Sequence, residues 1–94
     1  MIISLDYDET FTNDIDFWVE FIKAAQNRGH TIYVITSRDK DTPVEYEDRF
    51  IGLYNITVIY CAFRAKRQVA LEHGIEVDVW IDDNPYRVDT GYVD

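Results

Sequence analysis

The sequence predicts an α/β protein, a doubly wound three-layer sandwich whose mostly parallel sheet has four or five strands. Short apolar runs rich in branched and aromatic residues alternate with segments of helical period along the chain. The runs are nearly continuous in their hydrophobicity, which is typical of strands covered on both faces in a parallel sheet. A helical segment lies between each pair of runs, as right-handed crossover connections require.

The apolar runs are the predicted strands, and we expect the order 3-2-1-4 in the sheet, which places the first strand beside the fourth. They cover residues 2–5, 32–35, 56–60 and 77–81. The C-terminal tail either adds a short fifth strand around Tyr92 and Val93 or lies on the surface, and the sequence leaves both arrangements open.

Helices are predicted between the strands from capping residues and apolar periodicity. The first follows Asp14 as its N-cap and stops at Gly29, and its apolar residues recur at three- and four-residue spacing. The second opens at Thr42, with Pro43 in the first helical position. The third covers residues 65–73 and ends at a glycine.

Length and charge limit the classes of function that the chain can have. Its 94 residues predict one domain spanning residues 1–94. With 18 acidic and 9 basic side chains, the net charge of −9 argues against nonspecific nucleic-acid binding, which needs a basic surface. The sequence has no basic leader and no apolar stretch of membrane-spanning length, so we expect a cytoplasmic protein without membrane contact. The single cysteine, Cys61, is expected to be a buried thiol in a reducing compartment.

Polar and charged residues follow each of the apolar runs. In open parallel sheets, ligands bind beyond the carboxyl ends of the strands, so these residues are the candidates for a functional site. In chain order they are Asp6, Asp8, Thr10, Thr36, Ser37, Arg38, Arg64, Lys66, Asp82 and Asp83.

The acidic candidates predict a metal site. Asp6 and Asp8 lie two positions apart in extended chain and therefore lean to the same side. With the fourth strand beside the first, Asp82 and Asp83 approach them, and carboxylates this close repel one another unless a cation is bound. Because the set offers only oxygen ligands, we expect Mg²⁺ and not zinc or copper.

The other strand ends offer groups that bind a phosphoryl group. Thr36 supplies a hydroxyl and Lys66 a cation, while a carboxylate can serve as the nucleophile. Thr36 is favoured over Ser37 because it directly follows the apolar run. Arg64 or Arg67 could take the place of Lys66 as the phosphate-binding cation.

These residues fall in short motifs. Residues 5–10 read LDYDET, residues 35–38 read ITSR, Lys66 follows, and residues 80–85 read WIDDNP. In this order the sequence resembles the haloacid dehalogenase-like superfamily of phosphohydrolases, whose first motif is D-x-D-x-T. The resemblance covers residues 1–85 and implies the Rossmann-like domain of that superfamily.

The resemblance implies a magnesium-dependent phosphatase that hydrolyses phosphate monoesters through an aspartyl phosphate on Asp6. Asp8 would act first as general acid and then as general base. Mg²⁺ would be held by Asp6, by the main-chain carbonyl of Asp8 and by either Asp82 or Asp83, between which the sequence does not choose.

Substrate contacts are expected from five side chains at the same sheet edge. Thr36 and Lys66 would bind the phosphoryl oxygens, and Thr10 and Ser37 would lie beside them. Arg38 either contacts the substrate or is an ordinary surface residue. The identity of the phosphorylated substrate is not readable from the sequence.

Two features differ from the superfamily's usual pattern. Glu9 occupies a position where many members have glycine, which adds a carboxylate at the entrance. The segment between Thr10 and the first helix is too short for a cap domain, so we expect an open site that accepts bulky esters or borrows a lid from a partner subunit. The apolar third strand at a sheet edge could pair in a homodimer.

Two other functions agree with the same residues. A phosphoryl-accepting signalling receiver also uses acids, Mg²⁺, a hydroxyl and a lysine, but receivers resemble a pattern with the acceptor aspartate on the third strand. This chain has Tyr60, Cys61 and Ala62 there. The other is a non-catalytic domain of the same fold that binds a metal ion or a partner protein.

Overall fold

The structure, a computed structural model, describes residues 1–92. Its strands are β1 (Ile2–Leu5), β2 (Thr31–Thr36), β3 (Thr57–Tyr60) and β4 (Val79–Ile81). Its helices are α1 (Ile15–Asn27), α2 (Glu47–Tyr54), α3 (Lys66–Glu72) and α4 (Tyr86–Asp89), with a 3₁₀ turn at Phe11–Asn13. No helix within this part of the chain is both long and apolar enough to cross a membrane.

All four strands are parallel and lie in the order β3-β2-β1-β4, which confirms the predicted strand order. β1 is central, and its last residue, Leu5, pairs with Val34 of β2 and with Ile81 of β4. The next residue, Asp6, donates its main-chain N–H to the carbonyl of Ile81 over 2.9 Å. The carboxyl ends of β1 and β4 are therefore direct neighbours.

Both faces of the sheet carry hydrophobic side chains, which explains why the strands are nearly continuous in hydrophobicity. Successive residues of β2 belong to different clusters, as the side-chain period of a strand requires. Val34 packs in the same cluster as Ile22 of α1 and Phe50 of α2. Ile35 packs with Val69 of α3 in the other cluster.

The first helix agrees with its predicted ends. The Asp14 carboxylate accepts a hydrogen bond from the main-chain N–H of Phe17 over 3.2 Å, so Asp14 is the N-cap. The helix ends at Asn27, and Gly29 follows in the left-handed region with φ of 86°.

The predicted start of the second helix is wrong. α2 begins at Glu47, and Thr42 and Pro43 lie in a loop. The Asp39 carboxylate accepts the N–H of Thr42 over 3.1 Å and so closes a turn. Arg38 donates to the carbonyl of Pro43 over 3.0 Å, so that carbonyl is occupied outside a helix. These local side-chain bonds compete with helix formation at the capping pattern.

The third helix lies within its predicted range, while the tail differs from the strand alternative. α3 covers 66–72, and a short helix that was not predicted, α4, follows the fourth strand. Tyr92 belongs to no strand, and Val93 lies outside the described residues. Cys61 is 1% exposed, as predicted, and burial raises the pKa of its thiol to about 11.

Phe50 of α2 packs against the rings of Tyr7, Phe11 and Tyr46. We therefore expect alanine substitutions at buried and exposed positions of α2 to change the free energy of unfolding by different amounts. Phe50 is fully buried and packs against Phe11, whereas Leu53, three residues later, is 69% exposed. Phe50→Ala should lower the free energy of unfolding by about 3–5 kcal/mol, because it removes a buried ring and leaves a cavity. Leu53→Ala is the matched control and should change it by less than about 0.5 kcal/mol. Urea unfolding of both variants measures this, and equal losses would contradict the packing described.

Candidate functional site

The end of β1 places a carboxylate in the interior. Asp6 is 6% exposed, and its position is fixed by the main-chain bond to Ile81. The chain then turns through Glu9, whose φ of 62° lies in the left-handed region. That conformation suits glycine best, so the left-handed turn gives a physical reason for a glycine preference at this position.

Lys66, the first residue of α3, reaches the carboxyl ends of both neighbouring strands. It is 2% exposed, and its Nζ lies 2.8 Å from Asp6 Oδ1 and 2.5 Å from Asp82 Oδ2. The ammonium thus links β1 to β4 through charge-assisted hydrogen bonds, which are shorter and stronger than neutral ones.

The loop before α3 delivers this lysine by means of main-chain contacts. Ala62 and Phe63 both adopt positive φ, 50° and 65°. Their N–H groups donate to the carbonyls of Arg38 and Ser37, at 3.1 and 2.8 Å. The loop after β2 therefore supports the loop after β3.

A third carboxylate joins the pair that Lys66 holds. Oxygens of Asp6, Asp82 and Asp83 all lie within 4.8 Å of one another, so the three side chains could hold a metal ion. Within residues 1–92, Lys66 is the one cation in salt-bridge range of these carboxylates, so its single charge does not match the three of them. The side chain of Asp8 is not part of this cluster.

Burial and neighbouring acids change the protonation of Asp6. Burial, together with the neighbouring acid Asp83, raises the pKa of this carboxyl from 3.8 to about 7, although Lys66 opposes both effects. Burial lowers the pKa of Lys66, but Asp6 and Asp82 outweigh that effect and raise it overall. The lysine is therefore charged at neutral pH, and a cation at the cluster would favour the ionised form of Asp6.

Asp8 is bound by an arginine at the rim of the cluster. Arg38 donates to both of its carboxylate oxygens, Nε to Oδ2 over 2.9 Å and Nη2 to Oδ1 over 2.8 Å. The guanidinium also lies 5.3 Å from the centre of the Tyr7 ring and donates to a loop carbonyl. Arg38 is thus engaged with protein groups on several sides and fixes the orientation of Asp8.

The hydroxyl candidates have different surroundings. Thr10 donates to Asp6 Oδ2 over 3.1 Å and accepts the N–H of Asp83 over 3.2 Å, so it bridges the acidic cluster. Thr36 is 1% exposed, and its Oγ1 accepts the N–H of Arg38 over 3.2 Å. Ser37 is partly exposed. Thr36 and Ser37 both line the cavity, so the choice between them stays open.

These groups surround one cavity of about 150 Å³. It is lined by Asp6, Asp8, Glu9, Thr36, Ser37, Lys66, Asp82, Asp83, Asn84, Arg87 and Tyr92. Arg64 and Arg67, the alternative cations, pair with Glu72 and Asp89 on the surface and do not line it. Sequence reasoning missed Arg87 and Tyr92, since no motif marks the tail that carries them.

Comparison with known proteins adds no family assignment. No protein-family model, curated protein or solved structure gives a significant match to this chain. The fold and the site define the chain as an α/β protein with an all-parallel sheet and an acidic cavity at the carboxyl edge of that sheet.

The buried position of Lys66 predicts that its removal is costly. Lys66→Met should lower the free energy of unfolding by about 3–5 kcal/mol, because it leaves carboxylates buried without their counter-charge. Adding Asp82→Asn to that variant should recover part of the loss. Lys23→Met, which changes an exposed lysine of α1, is the control and should have little effect. Chemical denaturation measures all three, and wild-type stability in Lys66→Met would contradict the prediction.

The raised pKa of Asp6 predicts a pH-dependent stability. A carboxyl whose pKa is higher in the folded chain stabilises the fold below its unfolded value of 3.8, and this contribution is lost as the pH rises through about 7. Relative to Asp6→Asn, the free energy of unfolding of the wild type should therefore fall between about pH 4 and about pH 8. A divalent cation should raise the free energy of unfolding of the wild type more at about pH 8 than at about pH 4.

Denaturant titrations of the two proteins across that range, with and without millimolar Mg²⁺, provide the measurement. Asp16→Asn, at an exposed position of α1, controls for the loss of a surface carboxylate. A stability difference between wild type and Asp6→Asn that stays constant with pH would refute the interpretation.

Proposed function

We propose that this chain is a small, uncapped magnesium-dependent phosphatase of the haloacid dehalogenase-like superfamily, with a three-layer Rossmann-like fold. One observation carries the proposal: oxygens of Asp6, Asp82 and Asp83 lie within 4.8 Å of one another, and within residues 1–92 Lys66 is the one cation that forms ion pairs with them. The excess negative charge of the three carboxylates favours a bound divalent cation. Lys66 and the hydroxyl of Thr36, which line the same cavity, are suited to bind the oxygens of a phosphoryl group.

The donor set fits magnesium. It consists of carboxylate oxygens without histidine or thiolate, and Mg²⁺ binds in proteins through a few carboxylates, retained waters and substrate phosphate. Asp6 and Asp83 or Asp82 would hold the ion, together with the main-chain carbonyl of Asp8. When bound, the ion would offset negative charge on the cluster and on the phosphoryl oxygens.

Asp6 is the proposed nucleophile. One of its oxygens forms a bond to phosphorus, and the bond between phosphorus and the ester oxygen breaks. Lys66 and Thr10 hold the two Asp6 oxygens at 2.8 and 3.1 Å, which keeps the carboxylate in one orientation. Thr36 accepts a main-chain N–H with its oxygen, so its own proton can be donated to a phosphoryl oxygen.

Asp8 is the proposed proton carrier. It gives a proton to the departing ester oxygen in the first step. It then takes a proton from the water that attacks phosphorus, which breaks the bond to Asp6 and releases phosphate. Its side chain is 47% exposed beside the cavity, where both the leaving group and water have access. Arg38 keeps it there.

A phosphoryl-accepting domain that retains phosphate on Asp6 is the second candidate. The bidentate pair between Arg38 and Asp8 supports it, because a carboxylate held by two hydrogen bonds is less free to serve the water that removes the phosphate. A non-catalytic metal-binding domain would use the same acidic cluster.

Hydrolysis of an aryl phosphate tests the proposal. The wild type should show turnover that depends on Mg²⁺, and Asp6→Asn should lower kcat by at least about 10³-fold because the nucleophile is gone. Asp16→Asn should retain wild-type activity. Mass spectrometry of the protein after incubation with acetyl phosphate or an aryl phosphate distinguishes the other candidates.

Each outcome of this assay assigns one function. Magnesium-dependent turnover that requires Asp6 supports the phosphatase. Stable phosphorylation of Asp6 without turnover identifies the phosphoryl acceptor. The absence of both, with Mg²⁺ still bound, identifies the metal-binding domain and overturns the enzymatic proposal.

A further inference from the structure

Arg87, a residue of α4, lines the same cavity as Asp6 and Lys66. Its Nη1 donates to the carbonyl of Gly91 over 2.9 Å, and its Nε is buried and has no hydrogen-bond partner in the described part of the chain. Within residues 1–92, no carboxylate lies in salt-bridge range of this guanidinium, since the ion pairs found there involve other cations. Among the described residues, Arg87 therefore brings to the cavity a positive charge that no carboxylate matches.

The other cations near the site have partners. Lys66 is matched by Asp6 and Asp82, and Arg38 is matched by Asp8. The cavity lining otherwise contains acids, hydroxyls, an amide and a phenol. A further anion that enters the cavity would thus find its free counter-charge at Arg87.

Aromatic stacking gives Arg87 a fixed orientation. Its guanidinium carbon lies 3.6 Å from the centre of the Tyr92 ring. The N–H of Tyr92 donates to the carbonyl of Phe63 over 2.8 Å, and the two rings meet edge to face at 5.4 Å. Stacking on an aromatic face leaves the in-plane N–H groups of a guanidinium available for a phosphate or carboxylate.

Gly91 allows this close packing of the tail against the loop before α3. A Cβ built on Gly91 would lie 3.0 Å from the carbonyl oxygen of Phe63, which is tighter than nine in ten real Cβ contacts, so the backbone of the loop would have to shift. The segment that carries Arg87 and Tyr92 is therefore built against the same loop that delivers Lys66.

We propose that Arg87 binds a second anionic group of the substrate, a phosphate or a carboxylate on the alcohol part of the ester. The inference rests on the proposed phosphatase function, to which it adds a substrate class. The reacting phosphoryl group already has Lys66 and Thr36 at the strand ends. Arg87 follows β4 in the chain and stacks on Tyr92, which is 48% exposed. Arg87 is therefore placed to contact the alcohol part of the substrate, on the solvent side of the phosphoryl group.

Matched substrates provide the kinetic test. Phenyl phosphate, 4-carboxyphenyl phosphate and 1,4-phenylene bisphosphate differ in the second group, and kcat and KM are measured for wild type, Arg87→Gln and Arg87→Lys. Arg87→Gln should raise KM about 10- to 100-fold for the two substrates with a second anion and change phenyl phosphate little. Arg87→Lys, which keeps a charge, should lose less. Arg49→Gln, an exposed arginine of α2, is the control.

The comparison separates recognition of the second group from other roles. An equal loss on all three substrates would assign Arg87 to the reacting phosphoryl group or to structure and would overturn the proposal. No loss on any of them would overturn it as well. Preference for the bisphosphate or for the carboxylate distinguishes the two kinds of anion.

A binding measurement separates this inference from failure of the proposed function. Calorimetric titration in Mg²⁺, with Asp6→Asn to prevent turnover, compares phenyl phosphate with the bisphosphate. If Asp6→Asn binds the bisphosphate more tightly than phenyl phosphate, and the double variant Asp6→Asn, Arg87→Gln does not, then Arg87 binds the second anion. This result would hold even if the wild type hydrolyses neither compound. Equal affinities for both ligands in the Arg87-containing protein overturn it, and this comparison does not require the Arg87 variants to fold.

Discussion

The buried ammonium of Lys66 between Asp6 and Asp82 is the interaction on which the site depends. It joins the first and fourth strands at their carboxyl ends, with Nζ to oxygen distances of 2.8 and 2.5 Å. Removing one member of such a buried group leaves charge without a partner, which costs more than the intact arrangement contributes. Asp83 lies beside this group and forms no ion pair within the described residues. The carboxylates at this sheet edge therefore outnumber the cation that is paired with them.

The loop after β2 connects this interaction to the rest of the cavity. Through Arg38, the loop holds the side chain of Asp8, and through the carbonyls of Ser37 and Arg38 it supports the turn that leads to Lys66. Thr36, the last residue of β2, precedes this loop and presents a hydroxyl. A local rearrangement after β2 would therefore displace the acid at the rim and the lysine in the interior together.

The sequence predicted the parts of the structure that depend on periodic burial. Four nearly continuous apolar runs became parallel strands in the predicted order, and Asp14 became the N-cap of α1. It did not predict where α2 begins, because the bonds that Asp39 and Arg38 make with the intervening loop depend on side-chain geometry that a capping pattern does not encode. Candidates at the strand ends were found because parallel strands bring their carboxyl ends to one edge. The same reasoning could not find Arg87, which reaches the cavity only because the tail folds back beyond the last strand.

The turn at Ala62 and Phe63 limits how the chain can change. Neither residue lines the cavity, but their positive φ values are tolerated by few residue types. Glycine and asparagine would fit there, whereas a valine or isoleucine would force the turn into another shape. Such a change would withdraw the ammonium from its carboxylates while every residue of the cavity kept its identity. Ala62 and Phe63 therefore restrict which substitutions the site tolerates, although neither residue carries a reactive group.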